Sequence, residues 1–444
     1  MELREGANKV LKGMVVALAT AVGLALLLLL CATVPRAAIQ DKMSESALWI
    51  ANHEMIEYVV EDIPATGILY SSDAVWLSIA YDFDETQPLE SMIWARYCLW
   101  PGEDLNGSLL QSVMNQQLGI NQYLRYWHGP AGLMRVLHLF LNIEQIYGIL
   151  CVVVAALFVA LLVLLWRHDM RAEALVLVLA MFMVSAWVVP LGLSYVWVFI
   201  VMFVAAFVGV RREVYGASGL LPVLFLVTGE VTAFLDFLTT ETLTLTIPLL
   251  LVLRARSRRG RKSDFGLVVA CCVAWLVGFA GMWAAKWALA SAALGIDAMP
   301  YVSEHIVERL GGDVGLGPQE FLTATIVLNV RCLSVLDFGV VGILVLCVLV
   351  AALTITLFMD KGRARRHIDW KVVLVYVGIA LLPYVRYLVL HNHAYVHYFF
   401  TYRAQAATVM ALCFIVMELI GYTGMALKET DGLPDSVLEA QPAS

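Results

Sequence analysis

The sequence predicts an all-α polytopic membrane protein: about ten transmembrane helices, with a long external segment carrying amphipathic helices after the first span. Three observations predict it. Hydrophobic residues make up 61% of the 444-residue chain and charged ones only 15%, against roughly 45–50% and about 25% in soluble domains. Uncharged apolar runs recur from residue 13 to residue 427. The basic residues between those runs gather in alternate loops. The same composition excludes an ordinary soluble enzyme and a disordered chain. A formal charge of −7 leaves no basic footprint for nucleic acid, so no nucleic-acid partner is expected.

A hydrocarbon core about 30 Å thick takes roughly 20 helical residues. The first run, 13–34, has 22 residues without a charge and is closed by Pro35-Arg36. It exceeds the ~7–15 residues of a signal-peptide apolar region and reads as a retained anchor. Residues 146–166, 174–189 and 193–210 follow, the last two separated by Pro190 because proline ends one helix and leaves room for a turn. Residues 217–238 and the short 242–253 are joined by the turn Thr239-Thr240-Glu241. The remaining spans are 265–290, 338–359, 372–390 and 404–427.

Lys and Arg in short loops set orientation. With the N-terminus inside, 19 of the 29 basic residues fall in segments assigned to the cytoplasm, including the runs at 254–262 and 361–371. Both termini are then cytoplasmic. The organisation expected is an N-terminus and first helix (1–34), an external segment (35–145), a bundle (146–427) with external loops 291–337 and 391–403, and a cytoplasmic tail (428–444). The external segment carries 14 acidic against five basic residues. Its stretch 133–141 is amphipathic and suited to lie along the interface. Six of the eight cysteines fall inside spans, so no disulfide framework is expected.

No phosphate-binding GxxxxGK[ST] loop, GxGxxG turn, GxSxG elbow or HExxH helix occurs. The inner loops are too short to bind a nucleotide. Chemistry is therefore expected on the outer face. The ionisable residues agree: Glu230, Asp236, Lys286 and Arg386 lie within or beside spans, towards their outer ends. Charges in that position are costly and mark functional sites or internal ion pairs. The densest group is Tyr387 to Arg403, which holds His391, His393, His397, Tyr402 and Arg403. A fork-shaped guanidinium with imidazoles and phenols suits a lipid phosphate at headgroup depth. An aromatic belt explains the tyrosines equally well. His393 and His397 are four residues apart and could share a face towards a divalent metal, although no carboxylate lies nearby in sequence. In the external segment, Ser72 is placed to cap a helix starting near Asp73. Asp82-Phe83-Asp84 has the DxD spacing of metal–phosphate sites. Arg125-Tyr126-Trp127-His128 offers stacking faces and a cation to a sugar or phosphate.

Ser72-Asp73-Ala74, Arg125-Tyr126-Trp127-His128-Gly129, Phe234-Leu235-Asp236-Phe237-Leu238-Thr239-Thr240 and the stretch from Asn392 to Arg403 are similar to blocks in a family of bacterial multi-pass proteins. The architecture of an anchor, a long external segment with an early Asp and then a bundle resembles the GT-C class of integral-membrane glycosyltransferases. That resemblance implies transfer of a sugar from a polyprenyl-phosphate donor to a cell-envelope glycan or glycolipid acceptor. It implies Asp73 as the catalytic base. On this reading Arg386, His391, His393, His397, Tyr402 and Arg403 hold the donor phosphate, and Arg125, His128, Glu230, Asp236 and Lys286 contact substrate. No metal ligand is assigned, although a divalent ion is compatible. The alternative is a transporter or flippase for a lipid-linked or anionic precursor, which would use the same intramembrane charges as a path.

Overall fold

A computed structural model describes residues 2–216, 220–259, 261, 265–310, 315–333 and 369–419. Helix α1 (Glu2–Ala32) leads into a layer of short helices: α2 (Arg36–Ala51), α3 (Tyr70–Asp82), α4 (Pro88–Trp94), α5 (Leu105–Met114) and α6 (Gly129–Leu137). A two-residue hairpin, β1 (Glu57–Tyr58) with β2 (Gly67–Ile68), closes the loop before α3. The bundle follows with α7 (Ile143–Arg167), α8 (Arg171–Met183), α9 (Leu193–Val214), α10 (Leu221–Leu235), α11 (Leu243–Arg258) and α12 (Phe265–Leu294). Then come α13 (Met299–Leu310), α14 (Pro318–Arg331), α15 (Trp370–Val389), α16 (His391–Val396), α17 (Tyr398–Thr401) and α18 (Ala406–Leu419).

Among the described residues six helical segments are long and apolar enough to cross a membrane: Leu11–Ala32, Ile143–Arg167, Leu193–Val214, Phe265–Leu294, Trp370–Val389 and Tyr398–Leu419. This corrects the expected ten. The run 174–189 stops as helix at Met183, because Ser185 is left-handed and a 3-10 turn, Val189–Leu191, carries Pro190. At 1.5 Å per residue, the 13 residues of α8 rise about 20 Å, short of a hydrocarbon core. The run 217–238 yields only the 15 residues of α10, ended by extended Asp236 and left-handed Leu238. Helix α11 has 16 residues, interrupted in its apolar part by Pro248 and basic from Arg254 onward. It is buried from Leu243 to Ala255 and serves as a core helix inside the bundle. The expected span 338–359 and the tail 428–444 lie outside the described residues.

The layer is bolted to the bundle by polar side chains. Asn142 and Gln145 form a reciprocal capping box that starts α7. Asp104 caps α5 through Gly107 N–H at 2.8 Å. Buried Arg135 donates to the carbonyls of Val34, Ala80, Tyr81 and Phe83. One guanidinium thus fastens the exit of α1 to the C-terminus of α3, where carbonyls lack helical partners. Helix α3 starts at Tyr70, and its cap residue Leu69 makes no side-chain bond. Ser72 is therefore not the cap, because the helix begins three residues before Asp73. Helices α10 and α12 meet through glycines: a Cβ at Gly229 would strike the backbone of Trp275, and one at Gly278 the carbonyl of Leu226. Small residues let helices approach closely where apolar surroundings provide no hydrophobic drive.

Candidate functional site

Asp73 lies in the first turn of α3 and is completely buried. Its Oδ2 accepts the Tyr147 hydroxyl at 2.7 Å and the Leu193 N–H at 2.8 Å, and its Oδ1 accepts the Ser194 hydroxyl at 2.9 Å. It thereby caps the first turn of α9 from another helix. Gly192 allows the approach, since a Cβ there would stand 3.3 Å from Oδ2. Burial pushes the carboxyl up to about 6, against the lowering effect of these hydrogen bonds.

The next residue, Tyr195, places its ring under the buried guanidinium of Arg403, 4.6 Å away. Arg403 donates to the carbonyls of Phe399 and Ala65 at 3.4 and 3.2 Å, and its Nε has no partner. Phe400 packs on Tyr195 and stacks on His397, whose ring is 4.9 Å from that of His393. Tyr402 points its hydroxyl at the carbonyls of Ala65 and Val184. Helix α16 ends before His397, so the two histidines do not share one continuous helical face. No group of three His, Cys, Asp or Glu among the described residues is arranged to hold a metal ion. Asp82 and Asp84 diverge: Asp82 turns inward to Gly119 N–H at 2.6 Å, while Asp84 receives the Thr86 hydroxyl.

One helical turn after Asp73, Trp76 stacks on Phe237 at 3.8 Å and meets His128 edge-on at 5.9 Å. His128 is buried with left-handed backbone (φ 58°) and binds the Tyr123 carbonyl through Nε2 at 2.7 Å. Its Nδ1 has no partner. Burial first, and then the Lys286 ammonium, hold the imidazole well below its usual range, so it is neutral. Half-buried Arg125 lies over Tyr123 at 4.5 Å. Lys286 is fully buried, donates to the Met92 carbonyl at 2.9 Å and stands over the ring of Trp127 at 5.4 Å.

Beside Phe237, the Asp236 carboxylate accepts the hydroxyl and N–H of Thr239. Arg386 pairs with Glu241 through Nε–Oε1 at 2.6 Å and Nη2–Oε2 at 3.0 Å, and also donates to the Leu238 carbonyl. Asp236 is not its salt-bridge partner, because the tight turn after α10 aims Glu241 at the guanidinium instead.

A continuous buried band therefore runs from His393 and Arg403 through Tyr195, Asp73, Trp76 and Phe237 to Asp236, Glu241 and Arg386. His128, Arg125 and Lys286 flank it. Two of the expected residues lie apart. His391 packs edge-on against Phe321 of α14, and buried Glu230 sits deeper on α10, beside Thr20 of α1. Sequence reasoning did not select Trp76, Tyr147, Tyr195, Phe237 or Glu241. Apolar or turn surroundings hide them, and only Glu241, a carboxylate between two apolar runs, carried a usable signal.

The opposite end of the bundle holds a second ionic cluster. Buried Glu173 accepts from Arg254 at 3.0 Å and Arg258 at 2.9 Å. Glu213 accepts from Arg256 and Arg261, and Arg254 also reaches Glu418 at 3.2 Å.

These features define a polytopic all-α membrane protein with a large non-membrane helical layer. No protein-family model matches the chain, and neither curated proteins nor solved structures show a match to it. The architectural resemblance to GT-C glycosyltransferases accordingly finds no support from known relatives.

Proposed function

We propose that this protein is a glycosyltransferase that takes a sugar from a polyprenyl-phosphate donor and passes it to a glycan or glycolipid acceptor. One observation carries the reading. Lys286 and Arg403 are fully buried, and neither has a carboxylate partner among the described residues. An uncompensated buried charge is costly, and an anionic group bound at such a cation removes the cost. They lie where the layer meets the bundle, Lys286 against Met92 and the ring of Trp127 and Arg403 against Ala65 and the ring of Tyr195, and these aromatic faces suit a sugar ring.

In this reading Asp73 removes the proton from an acceptor hydroxyl that replaces the Ser194 hydroxyl at Oδ1. The acceptor oxygen bonds to the anomeric carbon, and the bond from that carbon to the phosphate oxygen breaks. The polyprenyl phosphate leaves with the electron pair, stabilised by Arg403, Arg386 and the histidines. Arg125, His128, Asp236 and Lys286 position sugar and acceptor. A divalent ion is not needed for this scheme. The layer faces outward, and the basic end with Arg167, Arg171, Arg211, Arg212 and the arginines of α11 faces the cytoplasm of a bacterium, together with both termini.

The full-length protein in lipid nanodiscs, given a panel of polyprenyl-phosphate sugars and envelope glycan acceptors, should release polyprenyl phosphate. Lys286→Met and Arg403→Met should each abolish that release. Absence of release with every donor rejects the reading. A translocator is the second reading, favoured by the buried Glu173, Glu213 and Arg254 at the opposite end, since a path needs polar groups on both sides. Flux of an intact lipid-linked sugar across proteoliposomes, without cleavage, would establish that reading instead.

A further inference from the structure

The layer carries an exposed apolar lip that neither reading uses. Residues 105–124 contain no charged side chain, within a segment that is otherwise acidic. At the end of this stretch Ile120 is 83% exposed, Met114 52% and Leu118 41%, and neighbouring Leu99 is 48% exposed. Leu99 joins them because Tyr97 and Asn121 are bridged in antiparallel register. Between these side chains stand exposed amides, Asn115, Gln116 and Gln117. Isolated exposed apolar residues need no explanation, whereas a contiguous group on a stretch without charge does.

Two contacts fix the height of this lip. The Gln40 side chain donates to the Val113 carbonyl at 3.1 Å, and the Asp82 carboxylate holds the Gly119 N–H. Arg36, the first residue of α2, donates to the carbonyl of Tyr81, the neighbour of Asp82. The Arg135 guanidinium joins that same Tyr81 carbonyl, at 2.9 Å, to the Val34 carbonyl at the exit of α1, at 2.7 Å. The interfacial zone of a bilayer extends roughly 5–8 Å beyond the hydrocarbon on each side. Met114, Leu118 and Ile120 are therefore tethered beside the end of the first span, within reach of that zone.

We propose that the lip formed by Leu99, Met114, Leu118 and Ile120 inserts into the lipid surface next to α1. Its apolar side chains enter the acyl boundary, and its amides exchange hydrogen bonds with headgroups, which a charged loop could do only at greater desolvation cost. The lip thus seats the layer on the bilayer at a second point, away from the helix ends. This inference is independent of the chemistry proposed above.

The test places a solvatochromic label on Ile120→Cys in the full-length protein, with the wild-type labelling background subtracted. A label on Glu61→Cys, an exposed position of the same layer, is the control. In nanodiscs of phosphatidylethanolamine and phosphatidylglycerol, spin-labelled lipid should quench the label at 120 several-fold more than the one at 61. Leu118→Asp with Ile120→Asp should cut quenching of a label on Met114→Cys several-fold without loss of helix content. Equal quenching at 120 and 61 overturns the proposal. So does protection of the label at 120 by a neutral glycan or a second copy of the chain but not by the bilayer.

Discussion

On the proposed mechanism, Asp73 serves position and chemistry at once. Its burial raises the carboxyl to about 6, so a base at this position is competent only above that pH. Transfer should rise through about pH 6 and level off above it, and Asp73→Asn should lower the rate by roughly 10²–10⁴-fold. A pH profile of sugar transfer at saturating donor checks both. Asp82 gives the companion effect on stability. Burial holds it at about 7 against Arg36, Arg135 and Arg96. Between its ordinary range near 4 and that value, the unfolded chain ionises while the fold keeps its proton. Its stabilising contribution is complete at low pH and is lost as pH rises through about 7. Asp82→Asn should flatten that slope in denaturant unfolding measured from pH 4 to 8. At Lys286 function and stability should diverge. Lys286→Met removes a buried cation without a carboxylate partner and should leave the ligand-free protein equally stable or more stable, by up to a few kcal/mol, while donor release disappears. Thermal unfolding and the transfer assay on the same preparation separate the two.

At the scale of elements, the short helices carry the organisation. Helix α3 contributes Asp73 and Trp76 one turn apart, so it faces both the first turn of α9 and the turn after α10. A helix with an apolar stripe from about Asp73 onward was readable, but its start at Tyr70 was not, because Ser72 does not cap it and Asp73 turns its carboxylate to α9. The α10–α12 pair rests on Gly229 and Gly278. Gly278→Leu should force these helices apart at a cost of about 1–3 kcal/mol or more and lower the yield of folded protein, read by size-exclusion profile and melting temperature. An unchanged melting temperature would show that α10 and α12 need no close contact. The lengths of α8 and α10 were misread for a related reason. Hydropathy averages over a window, whereas Ser185 and Leu238 end a helix by adopting left-handed backbone at single positions.

Across the whole molecule, buried charge divides into two ends. One end pairs Glu173, Glu213 and Glu418 with arginines of α11 and its flank. The other spreads four cations along an aromatic band, and among the described residues only one of them, Arg386, is neutralised by a carboxylate. Arg254→Ala should leave Glu418 without its arginine and Glu173 with Arg258 alone, at a cost of up to about 3–5 kcal/mol, visible as a lowered denaturation midpoint. It should leave the band intact, so transfer per folded molecule should persist below the new midpoint. The amino-acid sequence by itself determined the apolar, multi-pass character, the basic alternation and the membership of most of the polar band, because composition and local charge are additive properties of a chain. Tertiary structure alone decided which helices are long enough to span, that Glu241 and not Asp236 neutralises Arg386, and that Asp73 and Arg403 meet neighbouring residues of α9, Ser194 and Tyr195. Those outcomes depend on where single residues break helices and on contacts between segments more than a hundred residues apart, and no local pattern encodes either.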